Sequence, residues 1–235
     1  MIGDMIKSSK HIVIFTGAGM STESGVPDFR SDTGIWKGRN PEELASVAAM
    51  DTNRREFVEF YRKRMEILGN IKPHIGYQIL SNWGERYNLK SIITQNTDGL
   101  HEQAGNQPVI PLHGTIQKLH CHNCQKTYSN ERYYQGEYVC SCGGFIRPSV
   151  VLFGESLDNK MLKMAQQESQ KADLFIVLGS SLVVSPANMF PILAKEHGAK
   201  LLIVNHDSAP LDSIADIVVN DTKIGDFLKV VSDIL

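Results

Sequence analysis

Five short apolar runs, separated by longer amphipathic segments, constrain the fold of this chain more than any other feature. Each run is closed by glycine or by polar turn residues. Strands of a parallel sheet have this pattern because helices cover both faces of the sheet and leave little of the strand in water. The pattern predicts an α/β fold with a Rossmann-like, doubly wound parallel sheet, whose strands lie at residues 11–15, 90–94, 174–178, 200–204 and 217–219.

Two stretches interrupt this alternation. One is rich in charge and has a helical pattern, and the other contains all four cysteines. We assign both to a smaller module that is inserted between strands of the main sheet. The predicted boundaries are 1–32, 75–117 and 148–235 for the Rossmann-like domain, 33–74 for the helical part of the small module, and 118–147 for its zinc-ribbon part.

The composition narrows the range of partners. The chain has 235 residues, 42% of them hydrophobic, which is enough for a substantial core. Its net charge of -2 provides no basic surface for nucleic acid or an anionic membrane. The N-terminus lacks the apolar segment of a signal peptide, and no run approaches the length of a spanning helix. We therefore expect a cytoplasmic monomer without specific nucleic-acid or membrane binding.

A glycine-rich loop follows the first apolar run. Gly17 and Gly19 match two glycines of a dinucleotide-binding fingerprint, and Thr22 occupies the position of the third. Such a loop can place backbone N–H groups against a pyrophosphate, although a tight turn between strand and helix is the commoner meaning of a glycine pair. For the adenosine ribose, Asn205 after a late strand is a better candidate than Asp32.

Polar side chains follow the run that ends at residue 94. Asn96, Asp98 and His113 should therefore lie at the carboxyl edge of the sheet, where open α/β folds bind ligands. Asn96 and Asp98 are equally typical of Asx turns that cap a helix, and His113 can also be a packed core residue. An imidazole at this edge is nevertheless well suited to proton transfer near neutral pH.

The cysteines form two closely spaced pairs. Four thiolates can complete a tetrahedral zinc site and leave no position for substrate or water, so we expect the metal to be structural. Free thiols or a redox pair are the alternatives. His120 and His122 flank the first pair and compete with it as ligands. The predicted ligands are Cys121, Cys124, Cys140 and Cys142.

Five motifs in a fixed order resemble the sirtuins, the NAD-dependent protein lysine deacylases, over essentially the whole chain. These motifs are at residues 17–30, 94–101, 112–114, 151–155 and 179–187. The resemblance implies that NAD is a co-substrate and that zinc is structural. The cofactor-binding positions that it implies are Gly17, Ala18, Gly19, Thr22, Phe29, Arg30, Gln95, Asn96, Thr97, Asp98, His113, Gly179, Ser180, Ser181 and Asn205.

The resemblance also implies a mechanism. The acyl oxygen of an acylated lysine would attack the ribose carbon as nicotinamide leaves, giving an imidate. His113 would act as the general base that activates a ribose hydroxyl, with Asn96 as a second catalytic residue. The products would be nicotinamide, O-acyl-ADP-ribose and free lysine in the protein substrate.

Further positions concern the substrate. The resemblance places Val151 and Phe153 on the acyl-lysine tunnel and Val184 beside it, although plain core packing is the alternative for Val151 and Val184. Tyr61 and Arg64 are similar to the Tyr-x-x-Arg of sirtuins that remove succinyl or malonyl groups. On a helix these two side chains share a face, where they could bind a carboxylate. An exposed basic helix with an inward tyrosine is the alternative.

The chain departs from the family pattern at two points. The second cysteine pair is Cys-x-Cys rather than the more usual Cys-x-x-Cys, and Thr97 replaces an Ile or Val. Two alternative functions stay open: protein mono-ADP-ribosyl transfer, and a zinc-ribbon protein that senses NAD or binds nucleic acid without catalysis. An intact His113 favours deacylation over the former, and the net charge disfavours nucleic-acid binding.

Overall fold

The computed structural model describes residues 1–27 and 43–235. Its α-helices are α1 (Ile2–Ser8), α2 (Val47–Thr52), α3 (Arg54–Gly69), α4 (Ile75–Arg86), α5 (Leu100–Gln103), α6 (Glu131–Tyr134), α7 (Asn159–Lys171), α8 (Met189–Glu196) and α9 (Ile224–Asp233). Its strands are β1 (Ile12–Thr16), β2 (Leu89–Thr94), β3 (Val109–Pro111), β4 (Gly114–Cys121), β5 (Thr127–Tyr128), β6 (Ile146–Val150), β7 (Leu174–Leu178), β8 (Lys200–Val204) and β9 (Ile217–Val219).

The main sheet has six parallel strands in the order β3-β2-β1-β7-β8-β9. Counted within the sheet, this is the 3-2-1-4-5-6 order of a dinucleotide-binding fold, so the predicted doubly wound sheet is confirmed. The bounds of β7, β8 and β9 agree with the prediction, whereas β1 is shifted by one residue and β2 begins one residue earlier. The strand β3 was not predicted.

Helices cover both faces of this sheet. In β1, all five residues are buried, and alternate side chains point to opposite faces. Ile12 and Ile14 pack in a cluster with residues of α1, α4 and α9. Val13 and Phe15 pack in a second cluster with residues of α7 and α8. Burial on both faces explains why these strands are apolar runs without polar alternation.

The cysteine stretch belongs to a second, antiparallel sheet with the order β5-β4-β6. Together with α2 and α3, which confirm the predicted helical stretch from residue 43 onward, this sheet surrounds a third hydrophobic cluster. The chain enters and leaves the small sheet at one point, since Gly114 pairs with Val150. Gly114 has φ +72°, and a Cβ there would lie 2.2 Å from the Ser149 oxygen. Only glycine permits this close crossing.

Among the helices of residues 1–27 and 43–235, none combines the length and the apolar character that crossing a bilayer requires.

Candidate active site

Two loops interlock at the carboxyl ends of β1 and β7, where the order of the sheet reverses. The Gly17 N–H donates to the Leu178 oxygen (3.2 Å), and the Gly19 N–H donates to the Gly179 oxygen (2.9 Å). Gly179 has φ +63°, and a Cβ there would lie 2.4 Å from the Met20 nitrogen. The backbones can approach this closely only without side chains. The resulting cradle lies where doubly wound sheets bind nucleotides.

The segment after the glycine loop differs from the prediction. The sequence predicts a turn from strand to helix, whereas the chain forms two 3-10 turns at Ala18–Met20 and Thr22–Ser24. The hydroxyl of Thr22 donates to the Gly19 oxygen (2.9 Å). The loop is therefore closed by its own short-range hydrogen bonds, and the described residues up to 27 form no α-helix after it.

Asn96 and Asp98 come from the loop after β2 and meet the glycine loop at Ser21. The Asn96 amide nitrogen donates to the Gly17 oxygen and to Ser21 Oγ, both at 2.9 Å. Ser21 Oγ donates to Asp98 Oδ2 (2.7 Å). Since both amide protons of Asn96 are used, its Oδ1 is the side-chain atom left to accept a further hydrogen bond.

Asp98 has a second role in the backbone. Its Oδ1 accepts from the Leu100 N–H (3.0 Å), which is the hydrogen bond of an Asx turn, while Gly99 is the N-cap of α5. The carboxylate is 6% exposed. Burial raises its pKa, against the opposing effects of the Leu100 and Ser21 hydrogen bonds. Burying a carboxylate is unfavourable for folding, so its presence here indicates a functional role for Asp98.

His113 lies between β3 and β4, beside the same edge. Its Nδ1 is 3.0 Å from the Gln95 backbone oxygen. Since a carbonyl only accepts, Nδ1 must carry the proton, and Nε2 holds the free lone pair. Burial lowers the pKa of His113. The imidazole is therefore neutral near pH 7 and has its basic nitrogen in the correct tautomer for proton abstraction.

A neighbouring set of contacts extends toward β8. The Gln95 amide donates to Ser180 Oγ (2.7 Å), and the Asn205 amide donates to the Ser180 oxygen (2.9 Å). Ser181 follows in the same loop. The structure thus brings the predicted adenosine-side residues to the ends of β7 and β8, next to the glycine cradle.

A small pocket opens between these loops and α3. Thr97 contributes to it, and its hydroxyl is buried without a hydrogen-bond partner among the described residues. The predicted positions Phe29, Arg30 and Asp32 lie outside the described residues. The pocket is lined by Ala18, Ser21, Val26, Pro27, Arg64, Asn96, Thr97 and Asp98.

The predicted tunnel residues occupy two loops. Val151 directly follows β6, and its N–H donates to the His113 oxygen (2.9 Å), which ties this loop to the candidate base. Phe153 is 48% exposed and Val184, in the loop after β7, is 38% exposed. Apolar side chains with this much exposure are available to contact an apolar ligand chain.

Tyr61 and Arg64 take different positions on α3. Tyr61 is 2% exposed and packs against Phe57 with ring centroids 4.8 Å apart. Burial raises the pKa of Tyr61 to about 12. Arg64 is partly exposed and lines the pocket that contains Asp98. The tyrosine is therefore packed inward, and the arginine is directed to the pocket.

The four cysteines form one compact cluster in the small sheet. All four Sγ atoms lie within 4.8 Å of one another, with Cys121 and Cys142 at 3.5 Å and Cys124 and Cys140 at 3.6 Å. Zinc–sulfur bonds of about 2.3 Å give sulfur–sulfur separations of about 3.8 Å in a tetrahedron, so this cluster fits zinc. The ring of His120 contacts Ser149 Oγ instead (3.0 Å).

One of the four thiols, Cys140, is more acidic than a free cysteine. The Cys142 N–H and then the Tyr128 hydroxyl, 2.9 Å from Cys140 Sγ, lower the pKa of Cys140 to about 5. A thiolate is the form that binds zinc. Within the described ranges, this is the single group of three or more potential metal-ligating side chains.

Sequence reasoning did not identify the residues that support the site. Tyr77 on α4 contacts Ser21 Oγ (2.9 Å), and the buried His101 contacts Thr16 Oγ1 (3.0 Å). Ser21 was visible as part of the glycine motif, but nothing in the sequence indicates its hydrogen bond to a tyrosine that lies far along the chain. These partners become apparent only in three dimensions.

A nucleotide-binding class of protein is defined by this sheet order, the glycine cradle at its switch point and an inserted four-cysteine module. The chain belongs to the Sir2 family, whose family model matches residues 17–186, and the resemblance to sirtuins is confirmed. A curated relative from Shouchella clausii, named NAD-dependent protein deacetylase, is 64% identical over 97% of this chain and 96% of its own length.

Solved structures agree with the family. A Sir2–p53 peptide–NAD+ complex has a TM-score of 0.89 and is 34% identical, covering 98% of this chain and 95% of its own. A Sir2 complex with the inhibitor EX-527, 2'-O-acetyl-ADP-ribose and deacetylated p53 peptide has a TM-score of 0.87 and 34% identity, covering 98% and 96%. These structures contain a peptide together with NAD+ in one and an acetylated ADP-ribose product in the other.

Proposed function

We propose that this chain removes acyl groups from protein lysine with NAD as co-substrate and releases nicotinamide, O-acyl-ADP-ribose and free lysine. One observation carries the proposal: the neutral His113 has its Nδ1–H on the Gln95 oxygen, and the next residue, Asn96, reaches the Gly17 oxygen in the glycine loop. The printed names of the relatives, which are NAD-dependent protein deacetylases, support the same reaction.

The residues present fit NAD. Gly17, Gly19 and Gly179 let two loops pack backbone against backbone at the switch point of the sheet. Buried polar side chains line the adjoining pocket, where the Thr97 hydroxyl is buried without a hydrogen-bond partner among the described residues. When bound, NAD supplies the ribose carbon that receives the acyl oxygen and the nicotinamide that leaves. Asn96 would accept a hydrogen bond from the nicotinamide half of NAD through its Oδ1. Asp98, whose carboxylate is held in place, would orient the same half of the cofactor.

His113 has the proton-transfer role in this proposal. Its Nε2 would take the proton of a ribose hydroxyl, while Nδ1–H remains on the Gln95 carbonyl and fixes the ring. A positioned base of this kind typically contributes about 100-fold to 10,000-fold in rate. Gln95, Ser180, Ser181 and Asn205 would bind the remaining NAD groups. Phe29 and Arg30 keep their proposed cofactor contacts from the family motif.

For the substrate, we propose that Val151, Phe153 and Val184 contact the acyl-lysine chain. The exposure of Phe153 and Val184 supports this assignment. The position of Arg64 in the pocket lining supports a role in binding the carboxylate of an acidic acyl group. Tyr61 is buried, so it would contribute only its hydroxyl group. Acetyl is the proposed general substrate, with succinyl or malonyl as further acyl groups.

We further propose that zinc binds Cys121, Cys124, Cys140 and Cys142 and is structural, since four thiolates fill its coordination shell. The separate hydrophobic cluster supports a small module of residues 33–74 and 118–147 beside a Rossmann-like domain. Cysteines that serve as metal ligands suit a reducing compartment, which supports a cytoplasmic location. The net charge supports the absence of nucleic-acid binding, and we propose a monomer.

The test uses purified protein, NAD and matched acetyl- and succinyl-lysine peptides, with products followed by mass spectrometry. Deacylated peptide and acyl-ADP-ribose should appear together. His113→Ala should abolish both while NAD binding persists, and the exposed His197→Ala is the matched control that should keep full activity. Nicotinamide release without deacylated peptide would instead indicate ADP-ribosyl transfer or NAD hydrolysis.

Acyl preference is tested by Arg64→Met. If Arg64 reads a carboxylate, the variant should lose desuccinylation by about 10-fold or more relative to deacetylation, because a charge-assisted hydrogen bond is lost. Equal effects on both peptides would exclude that role for Arg64.

A further inference from the structure

One arginine is buried in the small sheet. Arg147, on β6, is 2% exposed, and besides Asp98 it is the single Asp, Glu, Lys or Arg that is buried in the described part of the chain. Removing a guanidinium from water is costly unless its N–H groups are paired. The partners of Arg147 therefore indicate what this burial accomplishes.

All the partners of Arg147 lie within a few residues of its own strand. Its Nη1 and Nη2 donate to the two carboxylate oxygens of Glu155, at 2.5 and 2.9 Å. Nη2 also donates to the Val150 oxygen (2.6 Å). The same carboxylate accepts from the Leu152 N–H (2.8 Å). One fork-to-fork ion pair thus fixes the chain on both sides of residue 151.

The segment 150–155, which we call the β6 loop, is also tied to its surroundings. The Val151 N–H donates to the His113 oxygen (2.9 Å). The Phe153 N–H donates to the Ala45 oxygen (2.9 Å), and its carbonyl accepts from the Val47 N–H (3.1 Å). These contacts fix the backbone of the loop at residues 151 and 153. The ion pair of Arg147 and Glu155 adds hydrogen bonds to the Val150 oxygen and the Leu152 N–H, and so holds the curvature of the loop around residue 151.

We infer that Arg147 is a positioning residue for substrate: together with Glu155 it holds the β6 loop in the shape that presents Val151 and Phe153 to the acyl-lysine chain. The inference rests on the proposed function. Among the described residues, the side chain of Arg147 has its hydrogen bonds with Glu155 and with backbone oxygens of its own segment, and none with His113 or the glycine loop. Its loss should therefore weaken peptide binding and spare NAD binding.

The test compares Arg147→Met, Arg147→Lys and Glu155→Gln with wild type, and uses Arg62→Met as the control. Arg62 forms an exposed ion pair with Glu66 at 3.6 Å, so the control removes an Arg–Glu pair outside the loop. Measurements are kcat, KM for acetyl-lysine peptide at saturating NAD, KM for NAD, melting temperature, and peptide Kd by calorimetry.

Arg147→Met should raise the peptide KM and Kd by about 10-fold or more, while KM for NAD changes less than about 2-fold. Arg147→Lys should recover part of this loss, because lysine keeps the charge but cannot form the two-pronged pair. Glu155→Gln retains the side-chain shape but loses the ion pair, and it should give a similar shift in peptide KM. This variant tests the inference even where Arg147→Met does not fold. Arg62→Met should match wild type.

An unchanged peptide KM and Kd in folded Arg147→Met or Glu155→Gln would overturn the inference, even with a lower melting temperature. So would equal increases in KM for peptide and NAD, which indicate a general structural role. Because calorimetry measures binding without turnover, a wild type that binds peptide but does not deacylate it would refute the proposed function alone.

Discussion

His101 should make the free energy of unfolding depend on pH between pH 7 and pH 5. Its Nε2 lies 3.0 Å from Thr16 Oγ1, and the proton of that hydroxyl is donated to Thr94 Oγ1 (2.8 Å). Thr16 therefore accepts, and Nε2 of His101 carries the hydrogen. Its Nδ1 is buried and has no partner among the described residues. Protonation would place an unpaired N–H and a charge in the core.

The size of the effect follows from linkage. Burial lowers the pKa of His101 from 6.5 to about 3 in the folded protein. The unfolded chain therefore binds a proton as the pH falls below 6.5, whereas the folded protein does not. Unfolding becomes more favourable by about 1.4 kcal/mol per pH unit in this window. Between pH 7 and pH 5, this one group should remove about 2 kcal/mol of stability.

Urea unfolding of wild type and His101→Gln at several pH values between 7 and 5 isolates this contribution. The variant loses a buried contact and will be less stable at pH 7, but its deficit should shrink by about 2 kcal/mol at pH 5. Changes at the cysteine cluster are common to both proteins and cancel. His197→Gln, at an exposed histidine, is the control. A deficit that stays constant across this pH range would refute a neutral, buried His101.

Four further outcomes are expected. Cys140→Ser should lose zinc, measured by mass spectrometry, and lower Tm by more than about 10 °C, since structural zinc provides folding energy; full zinc content would contradict this. Gly179→Ala should raise KM for NAD and destabilise by about 1–3 kcal/mol, because its Cβ would press on the glycine loop. Ser21→Ala should cost about 1–3 kcal/mol because Asp98 Oδ2 and the Asn96 amide would lose a buried hydrogen-bond partner, checked by denaturation. Since burial lowers the pKa of His113, the acid limb of kcat/KM should fall below pH 6.5; a limb above that value would exclude His113.

The main sheet could be predicted because its strands are buried on both faces, so that burial alone produces a visible apolar run. The strand β3 escaped prediction because it has three residues and ends in Pro111, a residue that sheets tolerate at an edge. In β4, the pairing with β6 shifts register between Thr115 and Leu119. That irregularity removes the strict alternation by which an antiparallel strand is recognised.

The site, like the fold, has one part that could be predicted from the sequence and one part that could not. The glycine loop, His113 and the cysteines lie in short local motifs, so their types and spacing could be read from the chain. The partners that orient them could not. Tyr77 reaches Ser21, and Arg147 holds a loop joined to His113, through contacts that depend on how α4 and the small sheet pack. The sequence also gave no sign of the two short 3-10 turns that follow the glycine loop.

The crossing between the two sheets has a mechanical consequence. His113 immediately precedes Gly114, where the chain enters the small sheet, and the returning chain at Val150 and Val151 lies hydrogen-bonded beside it. A rotation of the small sheet about this crossing would displace each atom in proportion to its distance from the axis. The cysteine cluster, at the far end of β4, would swing widely, while His113 would hardly move. If the small sheet rotates toward and away from a bound substrate, His113 would thus keep its position relative to the glycine loop.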